Sequence, residues 1–274
     1  MTYVGITLPS FRQTADPALA VAHAAEDAGL DAVFAYDHLF RRAADGTKRP
    51  ALEMFALLGA VAADTSRIGV GSLVARATLR PPATMANGFD TVARIAGEDR
   101  LFVTVGAGDS ESEDENENFG LSFGTMDVRV ESLRDNVVAM RDRGYPVWVG
   151  GLAGAVRELA AHEADGWNSW GTSAENFTKR AGELRSAARR VPFVVSWGGL
   201  VVLAPDDDAA HAKAARLDAP KGALVGGPAT MAAALQPYVD AGAEWVMVAP
   251  IDSSDPTNAT MFGEVRSLLL DARR

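Results

Sequence analysis

Short apolar runs rich in Val and Ile alternate along this chain with longer stretches whose apolar residues recur at helical spacing. YVGITLP predicts a first strand over Tyr3–Pro9. Leu19, Ala22, Ala25 and Ala28 then share one face and predict a helix over 17–28, with Asp16 as N-cap, Pro17 at N1 and Gly29 as the stop. DAVFAYD predicts a second strand and 51–63 a helix; RIGVGSLV predicts a third strand and 83–96 a helix; RLFVTVG predicts a fourth strand. A long acidic loop leads to a helix over 127–141. PVWVGG and a helix over 153–162, then ADGWNSW and a helix over 174–189, form the fifth and sixth units. PFVVSWGGLVVLAP is a seventh strand, interrupted by Gly198-Gly199 and followed by helices over 206–216 and 228–241. EWVMVAP is the eighth strand, closed by a helix over 259–272.

Eight strands, each followed by a helix, restrict the topology. Near-continuous apolar strands such as VWVG and WVMV suit a parallel sheet covered on both faces. Right-handed βα crossovers repeated eight times fit a closed (β/α)8 TIM barrel of α/β class, formed as one domain over residues 1–274. An open doubly wound sheet is the alternative.

Composition sharpens this picture. The 274 residues are 48% hydrophobic and 23% charged, as in ordinary globular proteins. Cysteine is absent, which excludes disulfides, thiolate metal sites and a cysteine nucleophile. A net charge of −10 argues against nucleic-acid binding. The opening MTYVGITLPSF lacks the features of a signal peptide, and no run of about 18 apolar residues predicts a membrane span. A cytoplasmic location is therefore the expectation. Part of the acidity is local, in DSESEDENEN, and residues 110–117 read as a solvated loop after a tight turn. The run is not an EF-hand, because it lacks the glycine at position six.

In a barrel of this kind the chemistry sits where strands end and βα loops begin. Asp37-His38 directly follows strand two and pairs a carboxylate with an imidazole suited to proton transfer near neutral pH; capping and packing explain the pair equally well. Gly106-Ala107-Gly108-Asp109 follows strand four, where glycines admit a ligand to the backbone and Asp109 offers an acid or base. Gly150-Gly151-Leu152-Ala153-Gly154 separates a strand from a helix and presents backbone N–H groups suited to an anion, although such turns are commonly structural. His23, His162 and His211 fall inside predicted helices without metal-ligand spacing, so no metal site is expected. Trp167, Trp170 and Trp197 read as core, with Trp170 and Trp197 near strand ends.

Several strings in order resemble the bacterial luciferase-like superfamily: AEDAGLDAVFAYDHLF at strand two, TSRIGVGSLVARATLRPPATMANGFDTVARIAGEDRLFVTVGAGD across units three and four, PVWVGG with ADGWNSW, and GGPATMAAALQPYVDAGAEWVMV at the end. The resemblance implies a TIM barrel that binds coenzyme F420 or FMN. It implies that Asp37 and His38 lie beside the cofactor ring, with His38 taking a substrate proton, and that Asp109 matches a glutamate proton donor. It places Leu73-Val74 at a strand-three bulge that often carries a non-prolyl cis peptide against the ring. Gly106 and Gly108, from their place after strand four, are expected to admit the cofactor to the backbone, and the resemblance matches Gly150, Gly151 and Gly154 to the loop near the phosphate tail and Trp170-Gly171 to the next loop.

The chain departs from the deazaflavin-dependent sugar-phosphate dehydrogenases of that superfamily. Arg41 and Arg42 occupy the region where those enzymes place a tryptophan, and no basic cluster for a substrate phosphate is evident. The resemblance thus implies F420-dependent hydride transfer to or from a small organic molecule, in a protein that is commonly a homodimer. The alternatives are an FMN-dependent two-component monooxygenase served by a separate cofactor reductase, and a non-catalytic flavin-binding relative.

Overall fold

The computed structural model describes residues 2–43, 45–109 and 111–271. Eight strands form a closed, all-parallel ring: β1 (Tyr3–Thr7), β2 (Ala32–Ala35), β3 (Gly69–Ser72), β4 (Leu101–Gly106), β5 (Val147–Gly150), β6 (Gly166–Trp170), β7 (Val194–Leu203) and β8 (Trp245–Pro250). Tyr3 stands opposite Trp245 where β8 closes onto β1, and Gly5 stands opposite Ala32 between β1 and β2. This is the (β/α)8 barrel that the strand count predicts.

Helices α1 (Asp16–Asp27), α2 (Met54–Asp64), α3 (Pro82–Ala96), α4 (Glu111–Asn118), α5 (Met126–Arg141), α6 (Gly154–Glu163), α7 (Ala174–Ala187), α8 (Asp207–Arg216), α9 (Pro228–Asp240) and α10 (Thr257–Asp271) follow the strands. Ala272, the predicted end of the last helix, lies outside the described residues. Among the described residues no helix is long and apolar enough to cross a membrane.

Alternation along the strands builds two apolar layers. In β2, Ala32 and Phe34 point into the lumen while Val33 and Ala35 pack under the helices; in β8, Trp245 and Met247 point in while Val246 and Val248 point out. Both faces are covered, so both sets of positions are apolar and the strands read as continuous runs. Removing each large side chain from water stabilises the fold by roughly 1.5–3 kcal/mol.

Several local features differ from the sequence reading. The acidic segment is a helix, α4, and not a solvated loop; Ser110, the first residue of that predicted loop, lies outside the described residues. β7 runs through Gly198-Gly199 without a break. A Cβ on Gly198 would lie 2.8 Å from the Trp170 ring and one on Gly199 2.6 Å from Trp197, so the glycines make room for indoles within a regular strand. Asp16 does not cap α1: Ala15 is already helical at φ −81°, and Asp16 sits in the first turn. The buried face of that helix is Ala18, Val21, Ala22 and Ala25, rotated from the predicted stripe, whereas Gly29 ends it with φ +72° as expected. An antiparallel hairpin, Phe40–Arg42 with Lys48–Pro50, and a short strand, Leu224–Gly226, added parallel to the end of β7, were not anticipated.

Candidate active site

At the carboxyl end of the ring, β3 stops at Ser72 and the Leu73–Val74 peptide is cis, as the bulge reading anticipates. The chain then rejoins the sheet, with Ala75 opposite Val105 and Arg76 opposite Gly106. Val74 points across to the ends of β4 and β5. A Cβ on Gly106 would lie 2.5 Å from Val74 Cγ2, and one on Gly150 2.6 Å from Val74 Cγ1. These two glycines are therefore accounted for by the valine they accommodate.

The bulge delivers Arg76 and Arg80 beside Asp37. One Asp37 oxygen, Oδ2, accepts the Arg76 backbone N–H at 2.8 Å and Arg80 Nη1 at 2.7 Å. Arg80 also donates to Glu53, which caps α2. Asp37 is buried, so these donors replace the water it gave up. In the structure it ties the bulge to the end of β2, and its neighbour His38 is the more exposed of the two.

The His38 side chain retains 28% of its solvent exposure, and its Nδ1 lies 2.6 Å from Glu115 Oε1. Glu115 comes from α4, 77 residues away, with only 6% of its side chain exposed. Its other oxygen accepts the Leu39 backbone N–H at 2.6 Å and Arg76 Nη2 at 3.1 Å. Burial acts to raise the Glu115 pKa, but the hydrogen bond and charge of His38, the Leu39 N–H and the Arg76 charge together hold it below the usual glutamate value. The carboxylate is thus ionised and accepts on both oxygens. Burial lowers the pKa of Arg76, and Glu115, Asp37 and Asp109 oppose that shift. Its Nε and Nη1 are buried without a hydrogen-bond partner.

Glu115 escaped the sequence reading because α4 presents a polar face inward. Ser112, Glu115 and Asn116 are buried at helical spacing i, i+3, i+4, and hydrophobic periodicity is blind to such a stripe. Asn116 ties the helix to its surroundings by donating to the carbonyls of Thr78 and Ser122. Asp109, the expected proton donor, is exposed and has one oxygen committed to the start of α4: Oδ1 accepts the Ser112 backbone N–H at 3.0 Å and the Ser112 hydroxyl at 2.9 Å. The carboxylate in contact with His38 is Glu115 and not Asp109.

Aromatic side chains surround the imidazole. Phe11 lies 5.7 Å and Tyr36 6.2 Å from the His38 ring, and Trp170 stands edge-on to Tyr36 at 6.2 Å. Burial pushes the Tyr36 phenol up to about 12, against a hydrogen bond with Thr7 and the Arg41 charge, so it stays neutral across the physiological range. Trp167 and Trp197 are core residues, Trp197 donating to the Thr172 carbonyl at 2.9 Å, and Trp170 alone of the three reaches this aromatic wall.

The glycine turn after β5 leads into α6. Gly151 has φ +143°, and its carbonyl accepts Trp167 Nε1 at 2.8 Å. The N-cap Ala153 offers no side-chain acceptor, so the first N–H groups of α6, from Gly154 onward, have no side-chain cap. Gly171, after β6, has φ +66° and donates its N–H to the Gly198 carbonyl at 2.7 Å. Gly108 has φ +74° at the turn into Asp109. Leu73, Val74 and Trp170 thus belong to one apolar cluster, Gly106 and Gly150 lie against Val74, and Tyr36 links Trp170 to the His38 ring. Among the remaining histidines, exposed His23 pairs with Asp64 and exposed His211 with the Asp207 carbonyl, while His162 is half-buried in α6.

Comparison with known proteins follows the same outline. One solved structure with the same fold is an F420-dependent secondary alcohol dehydrogenase in complex with an F420–acetone adduct, 17% identical, with a TM-score of 0.82 over 98% of this chain and 99% of that chain. Others are the monooxygenase RslO1 from Streptomyces bottropensis, 20% identical with a TM-score of 0.79 over 100% of both chains, and the EDTA monooxygenase EmoA from Chelativorans sp. BNC1, 14% identical with a TM-score of 0.78 over 99% of this chain and 94% of that chain. At these identities the likeness is one of fold. No curated protein matches the chain by sequence. The model of the luciferase-like monooxygenases matches residues 3–142, the half of the sequence that contains the cis bulge, Asp37-His38 and Glu115, and the chain belongs to that family of oxidoreductases.

Proposed function

We propose that this protein is a coenzyme F420-dependent oxidoreductase that transfers a hydride to or from a small alcohol or carbonyl compound. The observation that carries the reading is the His38–Glu115 contact of 2.6 Å at the barrel mouth. Hydride removal from an alcohol carbon requires that the hydroxyl proton be taken by a base, and the reverse reaction requires that a proton be returned. An imidazole backed by a buried carboxylate serves both directions.

The surrounding residues fit a deazaflavin. Two buried Arg76 nitrogens call for acceptors, such as ring carbonyl oxygens or a water that bridges to them. Leu73 and Val74 supply an apolar face, and Trp170 with Gly171 border it. The uncapped start of α6, with Gly150, Gly151 and Gly154, suits a phosphate tail. When bound, the cofactor supplies the hydride-accepting or hydride-donating carbon. His38 holds or returns the substrate proton, Glu115 orients His38, and Asp37 with Arg80 fixes the bulge. Asp109, at the start of α4, lies close enough to Arg76 for its charge to oppose the effect of burial on that guanidinium. In this reading the partner is a small molecule, and the protein assembles as a homodimer in the cytoplasm.

The test is cofactor binding to the apoprotein, titrated separately with F420 and FMN and followed by fluorescence or heat. F420 binding without FMN binding supports the proposal. FMN binding alone moves the chain to the two-component monooxygenases, a reading favoured by RslO1, which matches over its full length. A bound cofactor that no reductant, oxidant or substrate turns over would indicate a flavin-binding relative without catalysis.

A further inference from the structure

We infer that Glu115 is a positioning residue that fixes His38 in its Nδ1–H tautomer and leaves Nε2 as the only acceptor on the ring. The inference deepens the role proposed for His38 and rests on it for its catalytic consequence, but the tautomer is measurable without cofactor or substrate.

Glu115 Oε2 faces two groups that only donate, the Leu39 backbone N–H at 2.6 Å and the Arg76 guanidinium at 3.1 Å. Glu115 Oε1 faces His38 Nδ1 at 2.6 Å. An ionised carboxylate has no proton to give, so a neutral imidazole keeps this contact only by carrying its proton on Nδ1. The other charged or titratable groups near the ring do not compete for Nδ1. Asp37 is committed to Arg76 and Arg80. Asp109 is committed through Oδ1 to Ser112. Tyr36 and Phe11 meet the ring as aromatic faces or edges, and Arg41 lies over Phe11.

The same geometry predicts what an amide does in place of the carboxylate. Glu115→Gln has one acceptor oxygen and one donor nitrogen. Placing the oxygen toward Leu39 and Arg76 keeps two hydrogen bonds, whereas placing it toward His38 keeps one and points an NH₂ group at two donors. The first arrangement wins, the NH₂ faces His38 Nδ1, and the neutral ring must carry its proton on Nε2. The substitution is expected to reverse the tautomer, and the Nε2 then has no lone pair for a substrate proton.

The experiment is long-range proton–nitrogen NMR on protein labelled with nitrogen-15 at histidine, on the alkaline side of the histidine titration. The chain has four histidines, and the His38 signals are assigned by their loss in His38→Gln. Wild-type protein is expected to show a protonated Nδ1 and an unprotonated Nε2, and Glu115→Gln the reverse. Wild-type protein with Nε2–H, or with the same tautomer mixture as Glu115→Gln, would overturn the inference; the wild-type spectrum decides even if the variant fails to fold. In turnover assays of protein loaded with its cofactor, Glu115→Gln is expected to lower kcat by about 10²- to 10⁴-fold, the range of a lost general base, with the cofactor Kd little changed. A reversed tautomer with unchanged kcat would uphold the positioning role and remove His38 from the proton transfer, so the two readings fail separately.

Discussion

The two ends of the barrel lumen use opposite physics. Deep in the lumen, Phe34, Phe102, Trp148 and Trp245 meet ring to ring, with centroids 4.8–6.2 Å apart, and Met247 fills the remaining space. At the mouth, His38, Glu115, Arg76, Asp37 and Arg80 form a chain of charged hydrogen bonds in which Glu115, Arg76 and Asp37 are buried. The lower plug is stabilised by area removed from water and tolerates approximate geometry among apolar atoms. The upper network is stabilised only if each charge meets its partner, because an uncompensated buried charge costs several kcal/mol. One region holds the fold together, and the other accepts a cost in stability to set the geometry of His38.

The contrast predicts different responses to substitution. The largest loss of stability is expected from Trp245→Ala, which empties the lumen and should cost about 3–5 kcal/mol in denaturant unfolding. Its effect on cofactor binding should follow from lost stability alone; a variant that is stable but selectively unable to bind would show that the plug and the mouth are one unit. His38→Ala should do the opposite, lowering turnover by about 10²- to 10⁴-fold with little change in cofactor affinity, and with a smaller loss of stability than Trp245→Ala, because Glu115 keeps the Leu39 N–H and Arg76 on its other oxygen. Loss of binding without a separate turnover defect would contradict the role given to His38.

Gly106→Ala tests the packing between the regions. The new Cβ would meet Val74, and overpacking of this kind costs about 1–3 kcal/mol. Combining it with Val74→Ala should restore most of the lost stability, as read by thermal or denaturant unfolding. Acid titration separates the regions further. The folded pKa of Glu115 lies below its ordinary value of 4.5, so its contribution to stability is fully present above that value and lost as pH falls through the folded pKa. The stability difference between wild type and Glu115→Gln should therefore shrink on acidification from pH 6, whereas the difference between wild type and Trp245→Ala should carry no such Glu115 contribution. The smallest effect is expected from Arg42→Ala, which removes an exposed pair with Asp114 on the outer face of α4. Screening by water and salt should leave unfolding and turnover unchanged within error.

The same contrast explains how far the sequence could be read. Trp245, Met247 and Trp148 sit in strands whose apolar runs are continuous, so the strands were legible from a local pattern. The cis bulge was legible at Leu73-Val74 only through resemblance, since nothing in the local pattern marks it. Asp37 and His38 were legible because the ends of barrel strands form a known address in the chain. Glu115 was not. It is one acid among many in DSESEDENEN, and the residues that distinguish it, His38, Leu39 and Arg76, are distant in sequence. Asp109 stood at the more conspicuous position, directly after β4, where its capping of α4 could be recognised only once α4 itself was known.

By itself, the sequence determined the eightfold βα order, the continuous apolar strands and the family. These depend on periodicity and local composition, which are properties of neighbouring residues. Tertiary structure decided which acid meets His38, which groups hold that acid ionised, and why Gly106, Gly150, Gly198 and Gly199 must be small. Those outcomes depend on close approach between segments far apart in the chain, where a difference of 1 Å separates a hydrogen bond or a steric clash from no interaction at all.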